Sequence, residues 1–142
     1  MPNTKPLVSV ACMCEKILTE KDGVLSAIRL VDTFFVERPI QPLPENVKAG
    51  IQMSALVSLK SGDVTGEQEI KITLRKPSGE TKEIGSWKVV LNGGEHGANF
   101  MMNMMMSGTE FGLLWLDVIW QGEVLTSIPI KVVERMREVE TH

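Results

Sequence analysis

With 142 residues, 43% of them apolar and 23% charged, the chain has the size and composition of one globular domain, which excludes a disordered or collagen-like protein. No apolar run approaches the roughly 20 residues of a membrane-spanning helix, which sets a helical membrane protein aside. Fifteen basic against eighteen acidic side chains leave a net charge of −3 with no block of one sign, so the electrostatic footprint of a nucleic-acid binder is missing.

The opening "MPNTKPLVSVACMCEK" places one lysine before a short apolar stretch that holds Ser9 and two cysteines and runs straight into Glu15 and Lys16. Without a small-residue cleavage pattern it does not read as a secretion signal, and the expectation is a cytoplasmic protein. Cys12 and Cys14 sit two apart in a β-rich run. On an extended strand they face the same side about 7 Å apart, poorly set for a mutual bridge, so free buried thiols are expected.

Two β-rich runs, at residues 8–18 and 24–36, flank Asp22-Gly23, a pair that accepts the left-handed backbone of a tight hairpin. After them, Pro39, Pro42 and Pro44 deny regular pairing and predict an extended crossing between two sheets. Ile51, Met53, Ala55, Val57 and Leu59 then alternate with mostly polar residues, and Ser61-Gly62-Asp63 reads as the turn that ends this strand.

The clearest alternation follows, with Ile70, Ile72 and Leu74 opposite Glu69, Lys71, Thr73 and Arg75. A turn at Pro77-Ser78-Gly79 leads into Trp87, Val89 and Leu91 on one parity, a second hairpin. Strands at residues 111–120 and 124–133 form a third around Gly122, and Pro129, unable to donate to a ladder, marks the last strand as an edge or a bulge.

About eight strands at short spacing and no convincing helix predict an all-β fold, an antiparallel two-sheet β-sandwich, immunoglobulin-like or C2-like. One domain covers residues 1–142, with an ordered core at about residues 7–134 and polar termini.

The stretch "LNGGEHGANFMMNMMMSG" holds the chemistry-bearing candidates. Gly93, Gly94, Glu95 and His96 read as a loop between strands; successive backbone N–H groups in such a glycine turn can cradle an anion, which makes a small-ligand or metal-binding loop the alternative function. A phosphate loop would need a following helix, and Ala98, Asn99 and Phe100 enter a strand instead. Zinc would require Cys12 and Cys14 to join His96, since no paired ligand spacing exists, and no metal site is expected. A thiol nucleophile served by His96 conflicts with the apolar setting of both cysteines, and no serine elbow or paired carboxylates appear, so neither an enzyme nor a cofactor is expected.

The methionines pose a parity question. On a strand, Phe100, Met102, Met104 and Met106 share one side while Met101, Asn103 and Met105 share the other. The second side is either covered by the protein's own chain, with flexible thioethers filling irregular space, or an adaptable patch that binds another protein. A third reading is a Cu(I) site using Met101, Met104 and Met105.

"CEKILTEKDGVLSAIRLVDTFFV", "PSGE" and "FGLLWLDVIWQGEVLTSIPIKV" together resemble an uncharacterised bacterial and phage family of small β-sandwich proteins, a domain of unknown function. The resemblance rests on a Cys-Glu-Lys start, a Lys-Asp-Gly turn, a Pro-x-Gly turn and an aromatic-rich final hairpin; it implies the sandwich fold and carries no catalytic residues. The expected function is a non-catalytic interaction or assembly module, binding a protein partner or itself through Met101, Asn103 and Met105.

Overall fold

The computed structural model describes residues 5–38, 50–107 and 111–136, and among these there is no helix. Seven strands form: β1 (Leu7–Thr19), β2 (Leu25–Leu30), β3 (Thr33–Arg38), β4 (Gly50–Arg75), β5 (Thr81–Ser107), β6 (Gly112–Trp120) and β7 (Glu123–Met136). The proline-rich crossing at Pro39, Pro42 and Pro44 and the polar termini lie outside the described residues.

The all-β expectation holds, but the connectivity differs from an antiparallel two-sheet sandwich. The strands hydrogen-bond as one sheet in the order β2-β1-β4-β6-β7-β3, with β5 along the other side of β4, and β3 runs parallel to β7. The reason lies at Val31 and Asp32, where the single strand predicted at residues 24–36 changes partner. The Val31 N–H still donates to Met13 of β1 at 3.0 Å, whereas the Asp32 carbonyl accepts the Lys131 N–H of β7 at 2.9 Å. One dipeptide thus hands the chain from one end of the sheet to the other, which periodicity cannot reveal.

The three hairpin turns stand where their residues place them. Gly23 carries the positive φ at the first, Gly79 at the second, and Gln121 and Gly122 both adopt it at the third, the geometry of a two-residue turn matched to strand twist. Pro129 pairs with Trp115 of β6 on one side only, because the β3 ladder begins at Lys131. The missing N–H therefore costs no ladder bond.

Strands β4 and β5 form a long ribbon, and its middle corrects two expectations. Ser61-Gly62-Asp63 is no terminating turn, and Gly93, Gly94, Glu95 and His96 form no loop: both segments lie inside strands whose register shifts between Lys60 and Thr65. Gly62, Gly93 and Gly94 take positive φ there, as residues in a β-bulge do. The consequence is a change of parity. Buried Met53, Ala55, Val57 and Leu59 are odd-numbered, while buried Val64, Ile70, Ile72 and Leu74 are even. On β5 the change runs from Leu91 to Phe100. A one-residue slip would turn an apolar face to solvent, and paired slips on both strands keep both halves of the ribbon facing one core.

That core joins the two halves. Trp87 of the first half of β5 stacks on Phe100 of the second, with ring centroids 5.2 Å apart. A void of about 10 Å³ is bordered by Ala55, Val57 and Phe100 from one half and by Ile72, Leu116 and Val118 from the other, so the two halves pack closely. Trp120 satisfies its buried indole N–H on Gln68 Oε1 at 2.8 Å.

Candidate functional site

Cross-strand pairing lays out the outer face of the first half row by row. Cys12, Leu56 and Met101 form one row, and Leu30, Cys14, Ser54 and Asn103 the next, with Gln52 paired to Met105 beyond. Met101 is 39% exposed and Met105 74%, while Phe100 on the opposite parity is buried and Met102 and Met104 pack against the core. Leu30 adds an apolar side chain 70% exposed at the far end of its row, and Ile28 and Leu18 extend the same face. Met101 and Met105, on the side left open by periodicity, are thus exposed, while Cys14 and Ser54 in the middle of the same face are buried.

Two polar pairs cross this face. Ser54 Oγ donates to Asn103 Oδ1 at 2.6 Å and Ser58 Oγ to Asn99 Oδ1 at 2.5 Å. Each hydroxyl ties the amide oxygen of a β5 asparagine to β4.

The other sequence candidates separate from this face and from one another. The His96 side chain is exposed, and its carbonyl accepts a 2.7 Å hydrogen bond from the buried Ser61 hydroxyl. At Gly97 a Cβ would collide with the Leu59 carbonyl oxygen, so glycine is required there by close backbone approach, next to the register shift of the ribbon. Cys12 shares its row with Met101, five residues along β5 from His96, which is about 16 Å of strand. The Cys12, Cys14 and His96 set is therefore not assembled. Both thiols are free; burial pushes the Cys12 thiol up, and burial with the neighbouring Cys12 charge pushes Cys14 up against a lowering hydrogen bond from the Lys16 backbone. The Cu(I) reading fails on parity, because Met104 pairs with buried Met53 on the core side while Met101 and Met105 point out. No cluster of three His, Cys, Asp or Glu side chains suited to a metal ion occurs among the described residues.

Two features escaped the sequence reading. A cleft of about 320 Å³ opens beside the strand switch, lined by Cys12, Met13, Leu30, Val31, Asp32, Ile128 and Pro129. On the outer face of the second half, Arg75 donates to Asp117 from Nε at 2.7 Å and from a terminal nitrogen at 3.1 Å, and Ser127 Oγ adds a third bond at 2.6 Å. The Arg75 guanidinium also lies 5.6 Å above the Trp115 ring. Burial pulls the Asp117 carboxyl up, but the hydrogen bonds from Arg75 and Ser127 and the Arg75 charge outweigh it and hold it below the usual carboxylate range. A lone carboxylate within "GLLWLDVIW" is the signal that points to this cluster.

No family model and no curated protein matches the chain. Among solved structures it is similar to a β-glucosidase from Listeria innocua, at 10% identity over 95% of this chain with a TM-score of 0.52. A mutant of that enzyme in complex with laminaribiose matches at 13% identity over 72% of this chain with a TM-score of 0.51. The chain spans only 16% and 14% of the length of those two structures. The likeness is one of fold.

Proposed function

We propose that the chain is a non-catalytic, cytoplasmic interaction or assembly module that engages a protein through Met101, Asn103 and Met105, and that it belongs with the bacterial and phage family its turns and hairpins resemble. The carrying observation is the pair of exposed methionines on the outer face, Met105 at 74% and Met101 at 39%, standing on either side of the Ser54–Asn103 row. Unbranched, polarisable thioethers repack against varied partners, and exposed apolar area of this kind is favourable to cover. The folded single sheet is read as a variant of the two-layer immunoglobulin-like or C2-like sandwich, with the bulged β4–β5 ribbon passing between the layers. A fold that accounts for 16% of a longer solved chain is consistent with use as a module.

The double variant Met101→Asp, Met105→Asp tests the reading. Circular dichroism and the thermal midpoint should stay close to wild type while self-association or partner capture is lost. A variant that fails to fold would show both sides of the strand to be core, and one that folds and still associates would place the interface elsewhere.

A further inference from the structure

We infer that the partner at this site is a second copy of the chain, joined edge to edge along the second half of β5 by an antiparallel pairing centred on Asn103. The inference rests on the interaction-module reading and names its partner.

Among the described residues β5 pairs with β4 alone, and no other described strand hydrogen-bonds to the outer edge of its second half. Natural edges are blunted by charge or proline. The open edges of β2 and β3 carry Arg29 and Glu37 with Arg38, and the first half of β5 carries Lys82, Glu83 and Lys88, whereas residues 97–107 hold neither a charge nor a proline. Two copies can meet there without opposing like charges.

The order of residues supplies the register. Met101-Met102-Asn103-Met104-Met105 reads the same in both directions. A two-fold axis at Asn103 therefore sets Met101 against Met105 of the second copy, Met102 against its Met104, and Asn103 against its Asn103. Each contact occurs twice, as a closed two-fold interface requires, so this edge pairs once and is not left to propagate. The pairing extends the rows already seen: Cys12, Leu56 and Met101 would continue into Met105 of the second copy, covering the most exposed methionine. The Asn103 amide oxygen is held by Ser54 within each copy, so the residue on the axis is neutral and its side chain is fixed by its own chain.

The test is sedimentation velocity on the full chain across a dilution series. Wild type should form a dimer. Asn103→Lys and Asn103→Glu should each weaken it about tenfold or more, because each sets like charges face to face, and an equimolar mixture of the two should recover dimer mass as a heterodimer. Hydrogen exchange on concentrated against dilute wild type gives a readout without substitution: alternate amides within residues 97–107 should gain protection. A dimer indifferent to both charges, a mixture that stays monomeric while both variants are folded, or protection confined to β2 or β3 would overturn the inference. A wild type that is monomeric throughout would also overturn it, and capture of a different protein through Met101 and Met105 would then stand or fall on the double-aspartate test.

Discussion

The two outer faces of the sheet solve the same problem in opposite ways. On the second half, the carboxylate of Asp117 is buried, and three hydrogen bonds from Arg75 and Ser127 satisfy it while Arg75 lies over Trp115. On the first half, Leu30, Met101 and Met105 stand exposed around two serine–asparagine pairs that consume only the amide oxygens. Among the described residues the first cluster satisfies its own charges, whereas the second face leaves large apolar side chains exposed. A polar cluster on a surface is therefore no pointer to a site when its members satisfy one another, whereas an unfinished face is.

The largest expected effect comes from the core beneath both faces. Leu116→Ala, at a fully buried position, should cost about 2–5 kcal/mol in urea unfolding, through lost transfer free energy and the cavity left behind. A much smaller loss would mean that the halves are not packed on one core. Asp117→Ala comes next, at about 1–3 kcal/mol, because it strips the charged acceptor from Ser127 and Arg75, although solvent reaching the half-exposed Arg75 moderates the loss.

Acidification should erase that second difference. A carboxyl whose folded pKa is depressed contributes stability that is fully present above its unfolded value, about 3.9, and lost as pH falls through the folded one. The stability gap between wild type and Asp117→Asn, followed by urea unfolding, should hold near neutrality and narrow below about pH 4. A gap that stays constant with pH would show that the Asp117 charge contributes nothing. The smallest effect belongs to the unfinished face: Met105→Asp alone should change stability by no more than about 0.5 kcal/mol, since the side chain leaves little behind. A loss of several times that figure would make the open face a covered one.

How much of this was legible depended on range. Alternation placed Met53 to Leu59 and Ile70 to Leu74 on strands, turn chemistry located three hairpins, and parity separated Met101, Asn103 and Met105 from Phe100, Met102 and Met104. Glycine misled, because positive φ serves a bulge as well as a turn: Gly62, Gly93 and Gly94 read as chain reversals yet sit within paired strands. The change of partner at Val31 and Asp32 leaves no local mark, since the residues on either side are equally suited to a strand. Asp117 was visible as a carboxylate in an apolar run, but its partners Arg75 and Ser127 come from other strands, and only the register brings them together.

The most direct measurement is solvent access at the methionine methyls. In protein labelled with ¹³C at the methionine methyls and held at dilution, a soluble paramagnetic agent should broaden the Met105 signal most, then Met101, and leave Met53 and Met13 sharp. On raising the protein concentration, Met101 and Met105 should become protected as the face finds its partner. Equal protection of Met105 and Met53 at every concentration would contradict the account, since the face would then be covered by the chain itself.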